Sequence, residues 1–444
     1  MKAMKMYGAL ALTLAMTAQG ALAALPIEQW THSSGARVYL VSSPAIPMLD
    51  VSVDVDAGSR RDPAGQAGLA RATASMLSKG VRAADGQPAL DENALAEAWL
   101  DIGAQFGASA SSDRMSFSLR TLTEPALLER AVALAARQMA QPAFPADVWA
   151  RERERSLAAL READTRPGTH AGRAFAAAVY QGHPYGAQTT AQTLLAIGVN
   201  DMTAFYRQQV MACGARISLV GAVDRATADR IASRLLAAIV PHGCRSQPPV
   251  PEVAPLAAAK DERIPFAAAQ AQVLLGQPGM RRDDPAFLTL LVGNHILGAG
   301  GFTSRLMDEV REKRGLTYGV YSNFSPGRHA GAFTVSLTTR PDQAEAALAL
   351  SREVVARFVA EGPTEAELQV AKDALIKGFA LRLDSNRKLL DNVVNIAWND
   401  LPLDYLDTWT TQVAAVTADD IRRAFQRVLA PQRMVSVIVG GKAP

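Results

Sequence analysis

A chain of 444 residues is enough for two to three domains of about 150 residues each. With 49% hydrophobic and 20% charged residues, its composition is that of a folded globular protein and excludes extended disorder. The 46 Lys and Arg against 43 Asp and Glu leave a net charge of +3, with no basic tail or stripe to read a phosphate backbone, and two cysteines supply neither a disulfide scaffold nor a thiolate zinc site.

Residues 1–23 begin with Lys2 and Lys5, continue through an apolar run from Tyr7 to Met16, and end Ala21-Leu22-Ala23. That order describes a secretory signal peptide with cleavage expected before Ala24. The run is too short for a permanent span, and no other stretch reaches about 18 uninterrupted apolar residues. The expectation is an exported, periplasmic (secreted) protein with no permanent membrane span.

Next, Leu49, Val51, Val53 and Val55 alternate with Asp50, Ser52, Asp54 and Asp56, the pattern of a half-buried strand. Helical periods follow at about Gly68–Ser78, Glu92–Ile102, Pro125–Ala140 and Val148–Ala163. Cys213 precedes a strand at Ile217–Val220 and Cys244 follows the helix after it. A bridge between them is geometrically plausible in an oxidising compartment; the other reading is two unrelated buried residues. Residues 245–262, rich in Pro and Ala without amphipathic period, read as a linker. Beyond it, helices are expected at about Ala286–Leu297, Phe302–Glu312, Asp342–Ala360, Glu365–Leu383 and Leu389–Trp398.

The two halves repeat one order of elements. Gly103-Ala-Gln-Phe106-Gly107 leads through a polar turn to the strand Met115–Leu119, and Gly315-Leu-Thr-Tyr318-Gly319 leads likewise to Phe333–Leu337. Near each end a helix opening at Asp201 or Asp420 runs to a short strand, Ile217–Gly221 or Ser436–Gly440. A period this long means a duplicated domain, not a solenoid. The predicted fold class is α+β: two homologous domains, 24–244 and 263–444, each a mostly antiparallel sheet with helices packed on one face.

The stretch from Val55 through Ala57-Gly58-Ser59-Arg60 to Gly68-Leu69-Ala70-Arg71 resembles the pitrilysin/insulinase family of zinc peptidases, the inverzincins. In that family Gly-Leu-Ala opens a helix bearing His-x-x-Glu-His, whose two His hold zinc while the Glu serves as general base. Here Arg71 stands for the first His, Ala74 for the Glu and Ser75 for the second His. The family's third ligand is a Glu seven residues after another Glu on a later helix. Counting from Glu152 lands on Ala159 and from Glu154 on Arg161, neither of which binds zinc. Glu162 is near but has no companion ligand. The six histidines, His32, His170, His183, His242, His295 and His329, are scattered along the chain and read as surface or capping residues. No metal site is expected in this chain, because a catalytic zinc needs at least three protein ligands.

The second half is similar to the family's C-terminal signature. Gly298-Ala-Gly300-Gly301-Phe302 enters a helix ending in Arg311, and Tyr318 follows seven residues later. The resemblance assigns Arg311 and Tyr318 to the substrate, facing zinc across a closed chamber, with Gly298, Gly300, Gly301 and Phe302 as a substrate-binding loop. A Tyr hydroxyl and a guanidinium suit a peptide oxyanion, one such donor being worth about 3 kcal/mol. The same residues also have a plain structural reading, in which the basic helix end complements the helix dipole and Tyr318 packs its ring. Family precedent for paired subunits implies a non-catalytic, bacterial processing-peptidase-like subunit forming half of a clamshell. A homologous partner would carry the zinc, and the substrate would be an unfolded peptide. The alternative is a catalytically silent binding or assembly protein; a lone enzyme with another site finds no Ser-His-Asp pattern to support it.

Overall fold

A computed structural model of the chain describes residues 26–239 and 246–441. The expected signal peptide and Cys244 lie outside the described residues. Cys213 is disulfide-bonded.

Six strands build the first sheet: β1 (Glu28–Thr31), β2 (Arg37–Ser42), β3 (Met48–Val55), β4 (Gln105–Ala110), β5 (Met115–Leu122) and β6 (Arg216–Gly221). Their order across the sheet is β1-β2-β6-β3-β5-β4. The second sheet holds β7 (Lys260–Ile264), β8 (Ala271–Pro278), β9 (Val320–Phe324), β10 (Ala332–Thr339) and β11 (Val435–Val439), in the order β9-β10-β8-β11-β7. Apart from β1 the two orders are the same. In both, the opening strand runs parallel to the closing one, β2 with β6 and β7 with β11, and every other pairing is antiparallel. The duplication read from the sequence is thus a duplication of topology. Because β7 pairs from Lys260 onward, the last residues of the proline-rich connection are strand.

Each sheet packs its own half's helices on one face. The first core joins Val51, Val53, Phe117 and Leu219 to Leu69, Val132, Trp149 and Leu235; the second joins Val273, Phe333 and Val335 to Leu290, Val354, Phe358 and Phe425. The other face of each sheet takes a helix from the opposite half. Helix Pro167–Tyr180 lays Ala171, Phe175, Ala178 and Val179 on Val435, Val437 and Val439 of β11. In return, helix Asn386–Trp398 lays Leu389, Leu390, Val393, Val394 and Ala397 on Tyr39, Val41 and Val220 of the first sheet. Each large apolar side chain so covered contributes about 1.5–3 kcal/mol, so the halves are held by exchanged helices as well as by the connecting segment. Gly276 on β8 permits the first exchange, since a Cβ there would stand 2.9 Å from the Phe175 ring.

The exchange overturns one expectation. β3 is not half-buried: Asp50, Ser52 and Asp54 are as covered as the valines between them. The second half's helix roofs that polar face, and arginines neutralise it. Arg120 donates to both oxygens of Asp50 at 2.7 and 3.1 Å, and Arg114 lies 3.2 Å from Asp54. Burial, opposed by Arg114, Ser116 and Ser52, pushes the Asp54 carboxyl above its ordinary range.

The roofing helix ends at Trp398, 4% exposed, whose ring is surrounded by guanidinium carbons of Arg328, Arg216 and Arg114 at 4.6, 5.2 and 5.5 Å. Arg216 donates to the Ala397 carbonyl at 2.6 Å and reaches both oxygens of Asp400 at 3.1 Å. Cations gathered at a helix C-terminus complement its dipole.

Candidate functional site

Helix Leu69–Met76 begins at Gly68, whose φ of 108° is left-handed, and the N–H groups of Gly68 and Ala70 donate to Asp62 at 2.8 Å each. Burial pushes the Asp62 carboxyl up to about 6 despite those bonds. Arg71 and Ser75, four residues apart, share the exposed face where a ligand pair would stand, while Ala74 is buried. The Ser75 hydroxyl donates back to the Ala72 carbonyl. One turn further, the Lys79 ammonium lies 2.5 Å from Glu92 and 3.5 Å from Glu152. Arg155 lies 2.8 Å from Glu152 and Arg151 2.7 Å from Glu92. The Glu152 carboxylate, from which the third-ligand spacing is counted, is therefore taken up by cations, which would also repel a divalent ion. Ala159 is exposed and apolar. Among the described residues no group of three His, Cys, Asp or Glu side chains stands where it would hold a metal ion. These residues do not fit zinc.

The second-half signature folds differently from the single helix expected over Phe302–Glu312. Helix Phe287–Asn294 continues as a π-helix over His295–Ala299; a 3₁₀ turn spans Gly301–Thr303, and a second π-helix spans Met307–Glu312. Such wide turns occur often at functional sites. The loop glycines have separate tasks. A Cβ at Gly298 would lie 2.4 Å from the Ser322 hydroxyl, and one at Gly300 would lie 2.6 Å from the His295 carbonyl, so both permit close packing. Gly301, at φ 62°, makes the left-handed turn that presents Phe302 to solvent.

Arg311 stacks its guanidinium on the Phe302 ring, 4.5 Å from the centroid, with Glu312 at 3.5 Å. Gly315, at φ 61°, donates to the Arg311 carbonyl and stops the helix. The buried Thr317 hydroxyl then donates to the Thr338 carbonyl at 2.7 Å, tacking the chain to β10. Its neighbour Tyr318 projects outward two residues before β9, at 85% exposure, with no hydrogen bond among the described residues. Tyr321, 52% exposed, adds a third aromatic to the surface. In the first half Phe106, at the repeat position of Tyr318, is instead stacked on Trp99 at 5.5 Å.

Sequence spacing gave no sign that two histidines meet. His183 and His329, from opposite halves, have ring centroids 5.1 Å apart; His183 is buried and is a capping histidine, at the start of a 3₁₀ turn over Pro184–Gly186. Its Nε2 donates to the Pro251 carbonyl at 3.0 Å and its Nδ1 accepts the Tyr185 N–H at 3.1 Å, which fixes the neutral ring. Burial, then His329, pushes its pKa below the ordinary 6.5. A depressed histidine stabilises fully above the unfolded value and loses that contribution as pH falls below it, at up to about 1.4 kcal/mol per unit. Urea unfolding at pH 7.5 and 5.5 is expected to show a smaller loss on acidification for His183→Gln, whose amide keeps both bonds without titrating. An unchanged pH dependence in that variant would refute the assignment.

A doubled α+β module whose metal-motif helix lacks the family's ligands, with Phe302 and Tyr318 exposed and Arg311 half-buried, defines a non-catalytic peptidase fold. The insulinase (peptidase M16) family model matches residues 37–193, and the peptidase M16 inactive domain model matches residues 196–375. The chain belongs to the insulinase family, as a member of the non-catalytic type. It is similar to a peptidase M16 inactive domain from Pseudomonas fluorescens, 33% identical over 94% of this chain and 98% of that one, with a TM-score of 0.87. An uncharacterized zinc protease of Streptomyces coelicolor is 26% identical over 93% of this chain and 89% of its own length. The periplasmic protease PqqL of Escherichia coli shares the fold at a TM-score of 0.78 and 19% identity, over 94% of this chain and 46% of that one. No helix among the described residues is long and apolar enough to cross a membrane.

Proposed function

We propose that this chain is the substrate-binding, non-catalytic subunit of a heterodimeric zinc peptidase, supplying Arg311 and Tyr318 to a homologous subunit that carries the zinc. The observation behind this reading is an asymmetry. The helix that resembles the metal-bearing one carries none of the family's ligands and has the cation Lys79 one turn on, while Tyr318 projects into solvent and Arg311 is steadied on Phe302. The substrate is an unfolded peptide held extended along a sheet edge. Export to the periplasm is part of the proposal, supported by the amino-terminal pattern and by the periplasmic relative of like fold.

Co-expression with a homologue bearing His-x-x-Glu-His tests the proposal. A stable complex is expected, with peptide hydrolysis in the mixture, none in this chain alone, and well below one zinc per purified chain. Chelator-sensitive hydrolysis by the isolated chain would overturn the reading. A complex whose activity ignores Arg311 and Tyr318 would support a silent binding or assembly role instead.

A further inference from the structure

A pocket of about 310 Å³ opens where the two halves and the connecting segment meet, and it shares no residue with the Arg311 and Tyr318 surface. Four arginines line it: Arg60 and Arg61 from the first half, Arg281 and Arg328 from the second. Three carboxylates line it too, and each is already engaged. Asp56 accepts from Arg60 at 2.5 Å and from Arg61 at 2.9 Å. Asp283 takes Arg281 at 2.7 and 2.9 Å, and Asp400 is held by Arg216 and Arg37.

Arg328 is left over. Among the described residues it has no carboxylate within ion-pair distance. One of its five N–H donors reaches the Trp398 carbonyl at 3.3 Å, and its Nε is buried without an acceptor in the protein. Its backbone N–H donates to Asp113 at 3.0 Å, which fixes the residue in place. The stack on Trp398 and the carbonyl at that helix end offset part of its charge. Yet Arg216 and Arg114 crowd the same ring. A half-buried cation among other cations is costly unless an anion accompanies it.

We propose that this pocket binds a small oxyanion, a phosphate or carboxylate group, with Arg328 as its main charge partner. The planar guanidinium fork suits both groups. Because the walls come from both halves and from Pro249 and Val250 between them, the bound anion ties the halves together. The proposal is independent of any peptidase role.

Titration calorimetry of the full chain with inorganic phosphate, at ionic strength held constant with chloride, provides the test. One saturable site is expected, with a phosphate-dependent rise in melting temperature that chloride does not give. Arg328→Gln should weaken phosphate at least tenfold while melting in chloride within a few degrees of wild type. If that variant unfolds, Arg281→Gln, at an exposed position, should weaken it severalfold. Arg340→Gln, outside the pocket, should leave it unchanged. A peptide acid competing where its amide does not identifies a chain terminus as the ligand; no competition by either identifies a phosphate ligand. Absence of saturable binding, or equal affinity in Arg328→Gln and wild type, overturns the proposal.

Discussion

Trp398→Ala is expected to lower the unfolding free energy by about 4 kcal/mol, the range for a buried tryptophan replaced by alanine. Two effects add. The indole is 4% exposed beneath the first sheet, so its removal leaves a cavity at the end of the exchanged helix. Three guanidinium groups also lose the ring face on which they rest, worth about 0.5–1 kcal/mol apiece where solvent reaches and more where it does not. Trp398→Phe retains an aromatic face and should cost roughly half as much. Urea unfolding followed by circular dichroism reads both. A loss below about 1.5 kcal/mol for the alanine variant would mean that the helix exchange does not hold the halves together.

Tyr318→Phe and Arg311→Ala are expected to lower peptide hydrolysis by the reconstituted complex by about 100-fold or more each, the effect of removing one preorganised donor from a developing oxyanion. Neither should move the melting temperature noticeably, because Tyr318 is almost fully exposed and Arg311 is held only by an exposed ring and a neighbouring Glu312. That separation is diagnostic: a rate loss without a stability loss places the pair at the substrate. Phe302→Ala removes the support under the guanidinium and should cost a smaller factor, roughly three- to tenfold, with the loss falling mainly on the rate at saturation. Full activity in both Tyr318→Phe and Arg311→Ala would remove the pair from the reaction.

Much of the fold was legible because its signals are local. Glu92–Ile102 and Pro125–Ala140 have the bounds their periodicity predicts, since Asp91 and Glu124 cap the first turns from within the sequence. The repeated Gly, turn and strand order likewise announced two equivalent sheets. Four features escaped. Helix Pro167–Tyr180 is built on Ala171, Phe175, Ala178 and Val179, and it packs on a strand more than 250 residues later, a face that no local window contains. The aspartates of β3 looked solvated because their alternation with valine carries no record of the helix that roofs them. The pairing of His183 with His329, and the leftover charge of Arg328, arise only where the halves meet.

The amino-acid order by itself determined which side chains stand at the positions of the family's zinc motif. Arg71, Ala74, Ser75 and Ala159 are none of the His, Cys, Asp or Glu side chains that ordinarily hold zinc, and side-chain identity needs no neighbours to be judged. Folding in three dimensions decided what the remaining groups face. Tyr318 projects into solvent beside the Thr317 anchor, Gly298 is walled in by Ser322, and each sheet is completed by a helix of the other half. Burial and ion pairing depend on partners distant in the chain, and those partners are chosen only when both halves pack.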